Sequence, residues 1–300
     1  MQYTVIKETN LLNYANSLFQ LMKPRVMSLV IFTCVVGLLI APTRLDFFTA
    51  ALSLMAVALG AGAAGALNMW YEADLDALMK RTCLRPIPTG KVTKNQAFVF
   101  GISTSIISVV ALYFFANLLS AAVLAITIIF YVVIYTIWLK QKTPQNIVIG
   151  GAAGALPPII GWTIATGSIS FEPILLFLII FFWTPSHFWA LSLYKTEDYN
   201  NAKIPMLPVV AGVKTTKINI FFYGVILFFV SLMPFFFGYF GIAYFIVSIS
   251  LGSYYLFLCY KLLGDNNDKK TSKKIFVFSI LYLFLIFSII LLDNIIQYNV

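Results

Sequence analysis

Long, nearly uncharged apolar runs dominate the chain, and each is long enough to cross a bilayer as a helix. A spanning helix needs about 20 apolar residues, and 61% of the 300 residues are hydrophobic while 10% are charged. The runs are continuous, whereas a transmembrane β-barrel would show alternating strands of about 10 residues. The sequence therefore predicts an all-α, polytopic membrane protein. Its nine predicted transmembrane helices cover residues 25–43, 47–70, 95–115, 118–138, 146–166, 172–194, 218–238, 240–260 and 275–296.

The basic residues predict an orientation for these spans. If the N-terminus lies inside, every Lys and Arg except Arg44 falls in an inner segment, as the positive-inside rule requires. The N-terminus is thus predicted to be cytoplasmic, with every charged motif on the same side. Basic residues that border membrane helices also account for the net charge of +9, so no nucleic-acid partner is expected.

We expect one transmembrane domain over residues 1–300, with a cytoplasmic lead-in at 1–22 and motif loops at 70–94 and 195–217. The lead-in, which includes a candidate interfacial helix, has neither the apolar core of a signal peptide nor the Arg-rich character of a transit peptide. This favours a bacterial inner (plasma) membrane. The three cysteines are scattered, which supports neither a disulfide framework nor a zinc site.

The second span ends in a polar motif. Asn68, Glu72 and Asp76 are spaced by four residues, so on a continuous helix they lie within about 80° of one another and share a face. Asp74 points elsewhere. Oxygen-bearing side chains at the mouth of a membrane helix are costly unless they are paired. Mg²⁺ together with a diphosphate is one such pairing; ion pairs with Lys80 and Arg81 are the alternative.

The sixth span ends in a second polar segment at residues 183–208. It contains the only histidine, His187, followed by Tyr194, Lys195 and Asp198. If the two spans face each other, Asp198 opposes the first motif across a cavity, and oxygen ligands of this kind suit Mg²⁺. His187 is equally consistent with a packed, hydrogen-bonded residue. Further basic residues lie at inner helix ends, where they also fit simple membrane anchors: Arg25, Arg81, Arg85, Lys140 and Lys142.

Two spans contain runs of small residues, GAGAAGA at 60–66 and GGAAGALPP at 150–158. Small residues let helix backbones approach closely, and the same property would let a bulky substrate approach. Both interpretations stay open. Pro157 and Pro158 predict a kink in the fifth span.

These motifs resemble the UbiA superfamily of intramembrane prenyltransferases, from the KPR at 23–25 to the last span. That superfamily has nine helices around a central cavity and two Asp-rich motifs. Asn68, Glu72 and Asp76 match the first motif, with Glu in place of its first Asp. Asp198 matches the first position of the second motif, and Ala202 occupies the place of the second Asp.

The segments at 81–90, 139–151, 187–195 and 198–212 are similar to the haem-alkylating branch of the superfamily. The resemblance implies transfer of a farnesyl group from farnesyl diphosphate to a vinyl group of haem B, with Mg²⁺ as cofactor. It implies Asn68, Glu72, Asp76 and Asp198 as catalytic metal ligands. His187 is a candidate haem ligand, because imidazole is a common axial ligand of haem iron. The implied diphosphate-binding residues are Arg25, Arg81, Arg85, Lys140, Lys142 and Lys195.

Three other functions remain open from the sequence. A prenyltransferase for an aromatic acid or quinone precursor would favour an intact second motif, which Ala202 breaks. A secondary transporter also has broken helices and intramembrane charges, but tends to carry them near the bilayer midplane. A haem-handling assembly protein without catalysis is the third.

Overall fold

A computed structural model of the protein describes residues 10–201, 204–265 and 268–298. In this part of the chain the secondary structure is helical. The helices are α1 (Leu11–Leu21), α2 (Pro24–Leu39), α3 (Phe47–Tyr71), α4 (Ala73–Leu78), α5 (Lys94–Phe115), α6 (Leu118–Ile129), α7 (Asn146–Ala155), α8 (Pro157–Thr166), α9 (Phe171–Tyr194), α10 (Thr196–Asn201), α11 (Leu207–Val210), α12 (Gly212–Phe236), α13 (Ile242–Gly264) and α14 (Asp268–Tyr298). A π-helical segment, Phe130–Leu139, continues α6 without a break.

The helical membrane architecture predicted from the sequence is confirmed. Eight helices in the described ranges are long and apolar enough to cross a membrane, counting α6 with its π-helical continuation and α7 with α8. A ninth span is reached if α1 and α2, which meet at 54°, count as one. Nine spans and a cytoplasmic N-terminus remain predictions. Of the lead-in at 1–22, residues 1–9 lie outside the described residues, and α1 occupies most of the rest.

Several helix ends differ from the predicted spans. The seventh span was predicted to begin at residue 218 but α12 begins at Gly212, and the ninth was predicted at 275 but α14 begins at Asp268. Hydropathy locates only the apolar part of a helix. Charged residues continue the helical backbone where their long side chains reach polar surroundings, so the observed helices extend beyond the apolar runs.

Local signals in the sequence explain where several helices begin. The Asp46 side chain accepts a 3.0 Å hydrogen bond from the Thr49 backbone N–H at the start of α3. Thr93 and Gln96 form a reciprocal capping box at the start of α5. Pro24 opens α2 and Pro157 opens α8, where a missing N–H costs nothing. Helix α7 ends at Ala155 and α8 begins at Pro157, so the fifth span is interrupted as predicted.

Helices α2 and α8 pack with almost no space between their backbones. A Cβ atom added to Gly161 would lie 1.9 Å from the Cys34 carbonyl oxygen, and one added to Gly37 would lie 2.1 Å from the Pro158 carbonyl oxygen. Glycine is therefore required on both sides of this contact.

Buried apolar side chains form two large clusters. One joins residues of α2, α9, α12, α13 and α14, and the other joins residues of α2, α3, α5, α6 and α8. Because α2 contributes to both clusters and also contacts α14, it ties the two halves together. Helix α3 lies against both α2 and the π-helical segment, and this arrangement builds the site described next.

Candidate functional site

The first polar motif lies where α3 gives way to α4. Helix α3 ends at Tyr71, and Glu72 has φ −89° and ψ 6°. The sequence predicted one continuous helix through the motif, and this prediction is wrong. The four-residue spacing nevertheless survives the break. The Glu72 N–H donates to the Asn68 carbonyl at 3.0 Å, and the Asp76 N–H donates to the Glu72 carbonyl at 2.8 Å. Glu72 therefore ends one helix and begins the next with little change in register.

Burial separates the motif residues from their neighbour. Asn68, Glu72 and Asp76 are all buried, whereas the side chain of Asp74 is 87% exposed and pairs with Lys94 at 2.7 Å. The sequence prediction that Asp74 points away from the other three is confirmed. A polar residue that stays buried must be paired, and the partners of the buried three define the site.

Each buried motif side chain contacts a basic residue from a different part of the chain. The Lys23 ammonium, at the start of α2, donates to the Asn68 side-chain oxygen. Lys140 Nζ lies 2.5 Å from Glu72 Oε1, and Arg85 Nη1 lies 2.6 Å from Asp76 Oδ2. The alternative pairing of Glu72 and Asp76 with Lys80 and Arg81 is not what these contacts show.

The π-helical segment supplies the wall opposite α3. Asn68 Nδ2 donates a 3.0 Å hydrogen bond to Thr136 Oγ1, which in turn donates to the Tyr131 carbonyl at 2.9 Å. The rings of Tyr131 and Tyr135 lie 5.4 Å apart, and the Lys140 ammonium lies 5.8 Å from the centre of the Tyr135 ring. This wall therefore adds a hydroxyl, two aromatic rings and a cation to the site.

Lys23 has an unusual backbone conformation at the junction of α1 and α2. Its φ is +53°, and no other non-glycine residue in the described ranges has a positive φ. A left-handed conformation is costly for most residues and is found where the surrounding structure holds it in place. Here it accompanies the bend that brings the Lys23 ammonium to Asn68. Sequence analysis missed Lys23 as a site residue, although it stands in the KPR motif beside Arg25.

The second polar segment lies against the first. Buried Met79, in the loop after α4, belongs to the same apolar cluster as Leu193 and Tyr199 of the second segment. The pKa of the exposed Glu197 carboxyl is lowered mainly by a hydrogen bond from Lys269, and Lys80 of the first loop also contributes. Lys80 of the first loop and Glu197 of the second therefore lie close enough to interact electrostatically, whereas the opposition of Asp198 to the first motif stays a prediction.

Asp198 itself is only half-buried, near the start of α10. Within the described ranges, no group of three or more His, Cys, Asp and Glu side chains is close enough to hold a metal ion. The convergence of Asp198 with Glu72 and Asp76 on one ion thus remains a prediction.

The six predicted basic residues lie in three kinds of surroundings. Arg85 and Lys140 contact the motif carboxylates, and Lys195 is half-buried with its ammonium 4.8 Å from the centre of the Tyr194 ring. The remaining three are exposed and form no ion pair with a motif carboxylate in the described part of the chain: Arg25, Arg81 and Lys142.

His187 lies in a buried aromatic stack. Its ring is 4.1 Å from that of Trp183 and 4.7 Å from that of Phe276, and its Nδ1 lies 2.6 Å from Ser279 Oγ. These contacts describe a packed, hydrogen-bonded histidine, which was one of the two interpretations from the sequence. Its predicted role as a haem ligand is tested by none of them.

An apolar cavity of about 130 Å³ lies directly beneath Lys23. It is lined by α2, α3, α6 and the α7–α8 pair, including small residues from both runs, such as Gly60 and Gly154. Tyr131 lines it as well. A cavity with one cationic end and apolar walls complements an amphiphile with a charged head and a hydrocarbon tail. The small residues therefore serve a cavity as well as close packing.

The donor set suits a hard divalent cation. Mg²⁺ prefers carboxylate, amide and phosphate oxygens, and the motif offers the side-chain oxygens of Asn68, Glu72 and Asp76. The buried Asp76 Oδ1 has no hydrogen-bond partner among the described residues, so one ligand position is open. The residues present thus fit a magnesium ion whose remaining ligands come from water and substrate.

Together, the helical bundle, the buried acidic motif with its basic partners and the adjoining apolar cavity define an intramembrane protein built to handle a lipid-like anion. Residues 30–286 match the UbiA prenyltransferase family, and the chain belongs to that family.

Similar proteins agree with this assignment. The chain is 60% identical over 293 residues to the protoheme IX farnesyltransferase of Pelagibacter ubique, covering 97% of this chain and 96% of that protein. A solved structure of digeranylgeranylglyceryl phosphate synthase superposes with a TM-score of 0.79 at 19% identity, covering 94% of this chain and 99% of the other. A UbiA homolog from Archaeoglobus fulgidus bound to GPP and Mg²⁺ superposes with a TM-score of 0.66 at 18% identity, covering 91% and 99%. At these identities the two structures establish the shared fold.

Proposed function

We propose that the protein transfers the farnesyl group of farnesyl diphosphate to a vinyl group of haem B and so makes haem O. The observation that carries the proposal is an apolar cavity whose lining includes Lys23, the residue whose ammonium contacts Asn68 of the buried acidic motif. The 60% identity to a protoheme IX farnesyltransferase selects the substrates. We place the protein in a bacterial inner membrane, with this site on the cytoplasmic side, because the basic residues lie at the inner helix ends.

The diphosphate would be bound by the basic residues at the mouth. Arg85, Lys140 and Lys23 already point at the motif oxygens. Each cation can shift part of its contact to a phosphate oxygen when substrate enters. Arginine offers two parallel donors to a phosphate, and lysine acts as a point charge. The other proposed contacts are Lys195, Arg25, Arg81 and Lys142, of which the last three are exposed and would need to turn inward.

Asn68, Glu72, Asp76 and Asp198 would hold Mg²⁺. When bound, the ion supplies positive charge beside the leaving diphosphate oxygens, where negative charge develops. The protein's own task is to keep the ligand oxygens buried and aimed at one place. The ion pairs of Glu72 with Lys140 and of Asp76 with Arg85 each hold one carboxylate oxygen in a buried position before substrate binds.

The chemistry then follows from the substrates. The bond between the allylic carbon and the diphosphate oxygen breaks, and its electron pair leaves with the diphosphate. The vinyl π-electrons of haem B form the new carbon–carbon bond, and water adds to the resulting cation with loss of a proton. Aromatic faces stabilise such cations by about 0.5–2 kcal/mol each; Tyr131 and Tyr135, on the π-helical wall of the site, are candidates for this role. His187 is proposed to orient the haem through its iron.

A direct assay tests this function. Membranes containing the protein are supplied with farnesyl diphosphate, haem B and Mg²⁺. The haems are then extracted and identified by mass spectrometry. We expect the mass of haem O, and none after chelation of Mg²⁺. Product from 4-hydroxybenzoate without product from haem B would overturn the proposal in favour of a quinone-precursor enzyme. Uptake of substrate without release of diphosphate would indicate a transporter.

A further inference from the structure

We infer that Leu124, on α6, closes the deep end of the apolar cavity and limits the length of the prenyl chain that the protein accepts. The inference rests on the proposed function, because it assumes that the cavity holds the hydrocarbon tail of the diphosphate substrate. It adds a specificity-determining residue, located outside the charged motifs, that the sequence analysis did not single out.

The cavity has a shallow end and a deep end along each of its walls. On α2 it extends from Lys23 to Val30, and on α3 from Gly65 to Val57. With a rise of 1.5 Å per helical residue, seven or eight residues correspond to about 10–12 Å. The cationic end, which receives the diphosphate, is therefore about 10–12 Å from the floor.

Three fully buried side chains form this floor. Val57, Leu124 and Ile160 line the cavity and are each at most 2% exposed. Leu124 also lies directly over Gly60: a Cβ atom added to that glycine would be 3.0 Å from Leu124 Cδ1 and 3.2 Å from Cδ2. The glycine thus provides the space in which the leucine side chain sits. The same added Cβ atom would lie 3.0 Å from Ser108 Oγ of α5.

The depth matches a farnesyl tail. An extended chain advances about 1.2 Å per bond, so the roughly 12 carbons in line in farnesyl span about 13 Å. One additional isoprene unit adds about 5 Å on the same scale, and its last carbons would meet Leu124. The flexible side chains of Met22 and Met27 in the lining can adjust their shape to the tail as it enters.

Shortening the floor residue tests the inference. We expect Leu124→Ala to raise the ratio of kcat/KM for geranylgeranyl diphosphate over farnesyl diphosphate at least 10-fold, because one methylene in an apolar pocket changes selectivity by about 10–200-fold. Ile160→Ala removes another part of the floor and should shift the ratio in the same direction. Leu112→Ala is the matched control, since Leu112 is fully buried in the same apolar cluster but does not line the cavity.

A substitution in the opposite direction completes the test. Gly60→Ala adds a methyl group to a residue that lines the cavity and brings it within 3.0 Å of Leu124 Cδ1, so we expect it to favour the shorter geranyl diphosphate over farnesyl diphosphate. Binding of each diphosphate, followed as thermal stabilisation of the detergent-solubilised protein, gives the same comparison without turnover.

The outcomes separate this inference from the proposed function. If the Leu124→Ala and Ile160→Ala proteins fold and keep the wild-type chain-length preference, the role of these residues in limiting chain length is overturned, even if the wild type makes haem O. An equal shift in Leu112→Ala would also overturn it. A wild-type protein that binds farnesyl diphosphate better than geranylgeranyl diphosphate, but does not alkylate haem B, would support the role of Leu124 and overturn the proposed function.

Discussion

Lys140 Nζ lies 2.5 Å from Glu72 Oε1, and this contact joins the end of the π-helical segment to the first acidic motif. The two side chains are 14% and 4% exposed. Attraction between opposite charges is much stronger at such a site than in water, but an isolated charge there is correspondingly costly. The ion pair therefore holds both charged groups in place before substrate binds. Removal of either one leaves the other as an unpaired buried charge, which destabilises the protein.

Replacement of Lys140 by methionine tests this pair. Lys140→Met keeps most of the side-chain volume and leaves Glu72 without its cation, which costs roughly 3–5 kcal/mol for a buried pair. We expect at least a 100-fold loss of farnesyl transfer and a lower melting temperature in detergent. The double variant Lys140→Met/Glu72→Gln should recover the melting temperature but not the activity. Lys214→Met changes an exposed lysine of α12 that has no proposed role in the site and should lose less than about threefold; equal losses in Lys140→Met and Lys214→Met would contradict the assignment.

Two aspartates of the first motif provide a second matched pair. Asp76 is fully buried with one free carboxylate oxygen, whereas Asp74 is exposed and bound only to Lys94 in the contacts described. We expect Asp76→Asn to lower kcat at least 100-fold, because removal of a single preorganised electrostatic group has effects of this size. Asp74→Asn should retain activity within about twofold. Steady-state assays over a range of Mg²⁺ concentrations decide between them, and a fully active Asp76→Asn enzyme would remove this residue from the metal site.

The sequence contained enough information for the helical membrane fold and for the buried face of the first motif. Apolar runs of bilayer length leave few alternatives to helices, and a four-residue spacing keeps Asn68, Glu72 and Asp76 together even across a helix break. Spacing does not reveal the break itself. Glu72 takes a conformation that depends on its tertiary contacts, and α4 is too short to carry a periodic signal of its own.

The partners of the motif were harder to predict. The π-helical turn shifts Thr136 and Lys140 relative to an α-helix, because each hydrogen bond spans one more residue. The bonds from Thr136 Oγ1 to the Tyr131 carbonyl and from the Lys140 N–H to the Tyr135 carbonyl both span five residues. Nothing in a run such as FYVVIYTIWL distinguishes this geometry from an α-helix. Lys23 was missed for a related reason, since its contact with Asn68 depends on a left-handed backbone.

Thr136 should act by positioning Asn68. Its hydroxyl accepts a hydrogen bond from the Asn68 amide, and loss of a partner by a buried polar group costs about 1–3 kcal/mol. We expect Thr136→Val to lower kcat/KM for farnesyl transfer about 10-fold, with the apparent affinity for Mg²⁺ reduced. Thr136→Ser keeps the hydroxyl and should restore both values. Thr33→Val is the control, because Thr33 is buried but donates only to carbonyls of its own helix. A purely structural role would predict the same result for Thr33→Val.

The contact of α2 with α8 should be the least tolerant of the glycine contacts. A Cβ at Gly161 would meet the Cys34 carbonyl oxygen at 1.9 Å and the Leu38 nitrogen at 2.8 Å, and both are backbone atoms that move only with the helix. Overpacking of this kind typically costs 1–3 kcal/mol or more. We expect Gly161→Ala to lower the melting temperature in detergent by at least about 5 °C. Gly154→Ala is the matched control, because no atom lies within 4 Å of the added Cβ.

The same pair of variants separates packing from catalysis. Since α2 begins at the residue after Lys23, a shift of α2 away from α8 would also displace the Lys23 ammonium from Asn68. The folded fraction of the Gly161→Ala protein should therefore lose activity as well as stability. Gly154→Ala should keep the wild-type stability, whether or not its added methyl group narrows the cavity. Normal stability of Gly161→Ala would contradict the close contact between α2 and α8, and with it the placement of Lys23 beside Asn68.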